Sequence, residues 1–298
     1  PGGSDGADGG RGMKPAPLSP LAAGTRLGAA LAAAATALGS RLEAELLLAH
    51  LLRLDRAGLL REREHALDAP TLDALRALVA RRVDGVPIAY LTGHREFWSL
   101  DFEVDSRVLV PRPETELLVE TALALAARAP SGPIVDVGTG SGAIAVALAR
   151  ELPAREILAV DDSAAALAVA ASNAARLAPG RVTLRESDLL AVFDTDECAL
   201  AVSNPPYVED DWPDLTRALR HEPRHALAAG ADGLAVIRRL VVDARRCLRA
   251  GGWLALEHGA TQASAVRRLL AQAGFRDLVT QRDLAGHERV SAGRAGGI

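Results

Sequence analysis

The sequence predicts an α/β protein with two parts: a small N-terminal all-helical domain and a doubly wound, mainly parallel sheet, joined by a β-hairpin. Three observations carry this. Up to about residue 85 the apolar positions recur at helical spacing and no strand pattern appears. Between Glu96 and Val110 the period falls to two, at Phe97, Leu100, Phe102, Val104, Val108 and Val110. Thereafter short apolar strands alternate with helices, which implies a parallel sheet with helices on both faces.

In the first part, helices are expected at Leu27–Leu38, Arg41–Leu52 and Thr71–Val83. Leu42, Leu46, Leu47 and His50 share a helical spacing in the second, and Asp55 and Asp68 stand at turn or cap positions. The hairpin turn is expected at Asp105-Ser106. Pro111 and Pro113 then stop extended pairing and lead into a helix at Glu114–Ala127. Strands follow at Ile134–Val137, Ile157–Val160, Val182–Glu186, Ala199–Val202 and Trp253–Glu257, with a final pair near 275–281 and 288–293. Helices are expected at Ser141–Glu151, Ser163–Leu177, 232–248 and Thr261–Ala273. The corresponding domains are a mobile extension over residues 1–20, a helical domain over 21–85, a hairpin linker over 86–113, and the sheet domain over 114–298.

The bulk numbers narrow the function. The 298 residues are 49% hydrophobic and 24% charged, a globular balance, and the formal net charge is −4. Neither a basic excess nor a basic stripe marks a phosphate-backbone binder, so direct nucleic-acid binding is not expected. Cys198 and Cys247 lie in apolar surroundings and read as small buried hydrophobes. His221 and His225 are four apart but have no third ligand, so no metal is expected. The Gly/Pro/Asp-rich Pro1–Pro20 is expected to be mobile, with Pro1–Gly12 an extension ahead of Met13, the only methionine. The run after Lys14 resembles a signal peptide only superficially. Arg26 and Gly28 interrupt it and alanine dominates it, so a cytoplasmic chain, monomeric and away from membranes, is expected.

Chemistry concentrates in two segments. Asp136-Val137-Gly138-Thr139-Gly140-Ser141-Gly142 ends the first strand of the sheet. Glycines there permit a sharp turn and close ligand approach. The spacing is G-x-G-x-G with an acidic residue two before the first glycine, unlike a dinucleotide fingerprint. S-adenosylmethionine carries a sulfonium and an ammonium and no phosphate, so acidic neighbours suit it. Asp161, 23 positions after Gly138, is placed to accept two ribose hydroxyls, or else serves as a helix cap. Asp188 after the third strand meets the adenine amino group or stands as a solvated loop residue. Three carboxylates at strand ends favour an adenosyl cofactor.

Asn204-Pro205-Pro206-Tyr207 follows the fourth strand and uses one of only two asparagines and one of only two tyrosines in the chain. An amide nitrogen is a poor nucleophile, because its lone pair is delocalised into the carbonyl. A site that methylates it must orient both N–H groups. The Asn204 side-chain oxygen and the Pro205 carbonyl supply two acceptors, and two prolines preset them. Tyr207 offers a stacking surface for a planar group. The expected reaction is methyl transfer to a planar nitrogen, an amide or an exocyclic amine.

At this point the chain, from about Arg41 to Arg294, resembles the release-factor glutamine methyltransferases, called PrmC or HemK. The resemblance rests on Pro87–Gly93 with Glu96-Phe97, on Pro111-Arg112-Pro113-Glu114-Thr115-Glu116, and on Asp136–Gly142, Asp161, Asn173 and Asp188. It continues through Asn204–Tyr207, Glu222-Pro223, Gly230–Leu234, Glu257 with Gly259, and Asp283–Gly286 with Arg289-Val290. It implies a class I methyltransferase-type sheet of seven strands and transfer from S-adenosyl-L-methionine to N5 of the glutamine in the Gly-Gly-Gln loop of class I peptide chain release factors. It further implies that the helical domain helps dock the factor, that Arg112 and Thr115 line the cofactor cleft, and that the tetrapeptide and Glu222 serve the substrate. Simpler readings stand beside these: Arg112 pairing with Glu114 or Glu116, Glu257 as a strand-end surface charge, and Tyr90 and Phe97 as packing. His258 and Pro1–Pro20 depart from the family pattern.

The alternative is an amino-methyltransferase acting on a base of RNA or DNA, since a flipped base also offers a planar amino group. It predicts a basic strand-binding surface, which the acidic balance does not support. A non-enzymatic binding protein predicts a damaged glycine turn or tetrapeptide, and both are intact; a nicotinamide oxidoreductase predicts the other glycine spacing.

Overall fold

The computed structural model describes Leu18, residues 20–210, Trp212 and residues 219–296. Apart from Leu18 and Pro20, the expected mobile stretch Pro1–Pro20 lies outside the described residues. The chain divides into two compact units, one ending at Thr92 and the other beginning at Gly93.

The first unit holds α1 (Leu27–Leu38), α2 (Arg41–Leu52), α3 (Arg56–Arg61), α4 (Ala69–Val83) and α5 (Ile88–Thr92). Side-chain caps set three of the starts: Ser40 accepts from the Glu43 N–H, Asp55 from Gly58 and Asp68 from Thr71. Leu27, Leu47, Leu48, Leu72, Leu75 and Val79 form its core, and Leu18 packs into it. The buried face of α2 differs from the expected one. Ala44, Glu45, Leu47 and Leu48 are inside, while Leu42 and Leu46 are exposed at 52% and 38%. Glu45 tolerates its position because Arg41 (2.8 Å) and Arg56 (2.7 Å) pair with its two oxygens. The short helices α3 and α5 lie below the length at which apolar periodicity can be read.

The second unit opens with a hairpin, β1 (His94–Phe97) and β2 (Leu100–Glu103). Phe97 opposes Leu100, so the turn is Trp98-Ser99, not Asp105-Ser106. Both turn residues adopt positive φ, 54° and 56°, the backbone a two-residue hairpin demands. Neither is glycine or asparagine; carboxylates compensate, Glu116 accepting from the Trp98 N–H and Glu96 from the Ser99 N–H. Asp105 instead accepts from the Arg107 backbone and side chain. Phe97 and Phe102 meet edge-on in the core, with centroids 6.2 Å apart.

After a 3-10 turn at Pro113–Thr115 come α6 (Glu116–Ala126), β3 (Ile134–Val137), α7 (Ala143–Glu151), β4 (Ile157–Asp161), α8 (Ala164–Leu177), β5 (Val182–Glu186) and β6 (Cys198–Ser203). Then follow α9 (Ala235–Cys247), β7 (Leu248–Glu257), α10 (Ala263–Gln272), β8 (Phe275–Arg282) and β9 (Glu288–Ala295). The seven-stranded sheet has the order β5-β4-β3-β6-β7-β9-β8, with β9 antiparallel to both neighbours and the other pairings parallel. This is the expected class I methyltransferase-type sheet. From β3 the chain moves outward through β4 to β5, then returns to place β6 on the other side of β3. The order therefore reverses at β3, and the crevice past the carboxyl ends of β3, β4 and β6 is where an open α/β sheet takes a ligand. Strands β3, β4 and β6 are buried along their whole length, which explains why they read as unbroken apolar runs. Both cysteines are free and buried in the core of this unit, and burial pushes the Cys198 thiol up to about 12. Among the described residues no helix is long and apolar enough to cross a membrane.

Candidate active site

The two chemical segments meet at the switch point. β3 delivers residues 138–142, β4 delivers Asp161, and β6 delivers Asn204. The Ser203 hydroxyl donates to the Val137 carbonyl at 2.7 Å and ties the ends of β6 and β3 together. The cleft above them is lined by Gly138, Gly140, Asp161, Asp188, Asn204 and Pro206, among others.

Of the expected cofactor residues, some line this cleft and others build it from behind. Gly138 and Gly140 take φ of 71° and 55°, and open space meets the position a Cβ would take on either. Asp161 accepts from the Gly140 N–H with one oxygen (2.9 Å) and from Ser163 with the other (3.0 Å). It thus shapes the glycine turn while lining the cleft, and burial raises its pKa. Ser163, not Asp161, caps α8, accepting from the Ala166 N–H. Asp188 lines the cleft from an exposed loop and pairs with Arg239 at 2.5 Å. Asp136 is fully buried beneath the turn, where it accepts from the Thr139 hydroxyl (2.6 Å) and the Ala145 N–H (3.1 Å). Burial pushes its pKa up to about 7 and leaves one oxygen without a partner. Thr139 faces Asp136, and Gly142 begins α7 against Ala170, so neither is on the cleft wall.

The tetrapeptide splits in the same way. Asn204 and Pro206 face the cleft, and Pro205 is buried. The Asn204 amide nitrogen donates to the Thr115 hydroxyl at 3.1 Å. The Tyr207 hydroxyl donates to Glu257 at 3.4 Å, and burial pushes the phenol's pKa up. The Tyr207 carbonyl accepts from Gln262 at 3.0 Å. Glu257 is no surface charge: it is 1% exposed, and burial pushes its pKa up to about 7. Glu222, also buried, accepts from the Val110 N–H (3.0 Å) and from Arg112 (2.5 Å). Arg112 therefore pairs with Glu222 rather than with Glu114 or Glu116, and the pair clamps the segment entering the Pro113–Thr115 turn.

Several cleft residues escape sequence reasoning. Arg107, Val108 and Leu109 follow the hairpin and line the cleft, as do His225 from the loop after Glu222 and Val236 from α9. No local motif marks them; tertiary folding alone brings them in. Asn173, buried in α8, donates to the Glu103 and Ser141 carbonyls (2.9 Å each) and accepts from the Glu103 N–H, joining the hairpin to the glycine turn. His258 is buried, its ring nitrogens 2.9 Å from the Ser291 hydroxyl and 3.0 Å from the Gly259 carbonyl, which accounts for a polar residue at that strand end. Among the described residues no three His, Cys, Asp or Glu side chains gather as metal ligands.

A cleft that presents open glycine backbone and the three acidic side chains Asp161, Asp162 and Asp188, beside Arg107 and Arg239, can receive a cationic adenosyl group. Comparison with known proteins decides the family. The PrmC N-terminal domain family matches residues 26–93, and the methyltransferase small domain family matches residues 113–279. A release factor glutamine methyltransferase of Xylella fastidiosa is 46% identical over 270 residues, covering 90% of this chain and 98% of its own. The chain belongs to the release factor glutamine methyltransferase family. The family's Escherichia coli K12 member is 44% identical over 257 residues, covering 85% of this chain and 92% of its own. A methyltransferase from Pyrococcus furiosus, at 20% identity and a TM-score of 0.50, shares the fold over 73% of this chain and 98% of its own. As a family member this chain is an S-adenosylmethionine-dependent methyltransferase, and Gly138, Gly140, Asp161 and Asp188 line its cleft.

Proposed function

We propose that this chain methylates N5 of the glutamine in the Gly-Gly-Gln loop of class I peptide chain release factors, acting as a cytoplasmic monomer. The observation that carries the reading is the hydrogen bond from the Asn204 amide nitrogen to Thr115 at the rim of the adenosyl cleft. With its N–H so engaged, Asn204 offers its side-chain oxygen as an acceptor for a substrate N–H. The buried Pro205 supplies a second acceptor through its carbonyl, and proline rings hold both in place before substrate arrives. S-adenosylmethionine, when bound, supplies a methyl group made electrophilic by its sulfonium. The protein's part is orientation: two acceptors fix the amide plane, and Pro206 and Tyr207 close the site against water. Asp161 is assigned to the ribose hydroxyls, Asp188 to the adenine edge, and Arg112, Thr115 and Glu222 to the wall between cofactor and substrate. The helical unit, with Leu42 and Leu46 exposed, is assigned to docking the factor.

The test is transfer of labelled methyl from S-adenosylmethionine to a purified class I release factor. The factor's Gly-Gly-Gln glutamine-to-alanine variant, bulk RNA and bulk DNA are run beside it. Label on the intact factor alone is expected. Label on nucleic acid and none on the factor would transfer the same site chemistry to a base amine.

A further inference from the structure

We propose that Gln262 is a positioning residue for methyl transfer: its side-chain amide grips the Tyr207 carbonyl and fixes the downstream end of the Asn204–Tyr207 loop. This deepens the methyl-transfer reading above and rests on it. Gln262 is the N-cap of α10, yet its side chain makes no capping hydrogen bond to that helix. Caps favour Ser, Thr, Asp and Asn, so the helix gives no reason for a glutamine here. The side chain reaches instead to the tetrapeptide, 55 positions earlier in the chain.

Counting donors and acceptors fixes the orientation of the amide. Its oxygen accepts from the Gly259 N–H at 2.9 Å, which turns the NH₂ the other way. The NH₂ donates to the Tyr207 carbonyl at 3.0 Å, and the Gly233 and Asp232 carbonyls lie 3.4 Å and 3.5 Å from the same nitrogen. Turned over, the amide would set its oxygen against three carbonyls and its NH₂ against an N–H. The peptide unit joining Tyr207 to Val208 is thereby held at both ends, its oxygen by Gln262 and its N–H by the Leu227 carbonyl at 2.9 Å. The two prolines make this hold matter. The peptide units joining Asn204 to Pro205 and Pro205 to Pro206 have no N–H, so backbone donation cannot anchor them. The loop must be fixed from its flanks. Upstream, Ser203 binds the Val137 carbonyl and Asn204 binds Thr115. Downstream, the hold is Gln262 on the Tyr207 carbonyl, with Glu257 on the Tyr207 hydroxyl. Gly233 leaves room for this grip, since a Cβ there would lie 2.7 Å from the Gln262 amide nitrogen.

The chain has only two tyrosines, followed by Leu91 and Val208, so Tyr207-Val208 is its one Tyr-Val pair. Carbonyl-¹³C tyrosine combined with ¹⁵N-valine in the full chain therefore gives one carbonyl–amide correlation, from the peptide unit that Gln262 and Leu227 hold. Two variants separate the donor from the rest of the side chain. Gln262→Glu keeps an acceptor for the Gly259 N–H and removes only the donor to Tyr207; Gln262→Met removes both. In each, the Tyr207 carbonyl signal is expected to move upfield, because loss of a hydrogen bond reduces the polarisation of the carbonyl. In the methyl-transfer assay kcat should fall about tenfold to a hundredfold, as misplacement of a substrate-orienting loop does, with cofactor Kd within about threefold. Gln262→Glu should be at least as damaging as Gln262→Met, since its carboxylate faces three carbonyls. A side chain needed only to hold the Gly259 turn would give the opposite order, with Gln262→Glu close to the unsubstituted protein. That order, or a Tyr207 carbonyl signal indifferent to both variants, overturns the proposal. If the unsubstituted protein leaves the release factor unlabelled, the function reading falls, while the carbonyl signal still decides whether Gln262 holds Tyr207.

Discussion

The glycine turn at residues 136–142 and the tetrapeptide at 204–207 both sit at strand ends on one cleft, yet they are held in opposite ways. The turn is held largely by close partners, with two longer ties, from Ser203 to the Val137 carbonyl and from Asn173 to the Ser141 carbonyl. Asp136 reaches Thr139 and Ala145, and Asp161 at the end of the adjacent strand reaches Gly140. The tetrapeptide is held from a distance: Thr115 lies 89 positions before Asn204, Glu257 lies 50 after Tyr207, and Gln262 lies 55 after it. A cofactor loop needs only a backbone shape, which glycines and one or two carboxylates supply. A loop that must orient a planar amide needs fixed side-chain acceptors, and those require a rigid surround drawn from the rest of the unit.

The sharpest break in this comparison is expected at Asn204. Asn204→Ala should lower the rate of methyl transfer by about 10²–10³-fold, as loss of a transition-state hydrogen-bonding group does, while cofactor affinity changes little. Equilibrium dialysis with labelled cofactor separates the two effects; an equal loss in both would mean that the tetrapeptide serves the cofactor instead. Next is Gly233, whose φ is 66° and where an added Cβ would lie 2.4 Å from the Tyr207 carbonyl oxygen. Gly233→Ala should cost about 2–4 kcal/mol in urea unfolding, from left-handed strain plus a backbone clash, and should displace Tyr207. Unchanged stability with full activity would show that this support of the tetrapeptide is dispensable.

The cofactor side should respond more mildly and in the other parameter. Asp161→Asn retains an acceptor for the Gly140 N–H but loses the charge, so cofactor binding is expected to weaken by about tenfold, roughly 1.4 kcal/mol, with kcat largely kept. Calorimetric titration of S-adenosylmethionine reads this directly. A further effect concerns pH. Asp136 has a folded-state pKa of about 7, above the ordinary 3.8, because burial disfavours its charge. Below pH 3.8 both folded and unfolded chains hold the proton, and stability from this group is fully present. It is lost as pH rises from there through about 7, where the folded carboxyl finally ionises. Asp136→Asn should therefore gain on the unsubstituted protein between pH 4 and pH 8, as measured by paired urea midpoints. A constant difference across that range would mean that Asp136 is ionised throughout.

Part of the cleft lining is legible in the sequence. Gly138, Gly140, Asp161, Asp188 and Asn204 all appear on one cleft because each closes or follows a strand of a parallel sheet, and such ends converge at the switch point. The hairpin turn was misplaced because Trp98-Ser99 has no turn chemistry of its own; it borrows the carboxylates of Glu96 and Glu116. The buried face of α2 was misread because an ion-paired glutamate, Glu45, occupies a place that leucines were expected to fill. Glu257 is marked only by the family resemblance, since on its own pattern a lone acidic residue ending a strand is usually a surface charge.

The sequence by itself determined the order of elements, the parallel character of the sheet, the cofactor class and the planar nitrogen acceptor. These follow from periodicity and from residue types acting on near neighbours, which are local properties of the chain. Only the tertiary structure decided which carboxylates face the cleft and which lie beneath it, the pairing of Arg112 with Glu222, and the hydrogen bonds of Asn204 to Thr115 and of Tyr207 to Glu257. Those depend on groups 50 or more positions apart meeting where water is excluded. Burial and proton counting then decide what a side chain can donate or accept, and neither can be read along a line.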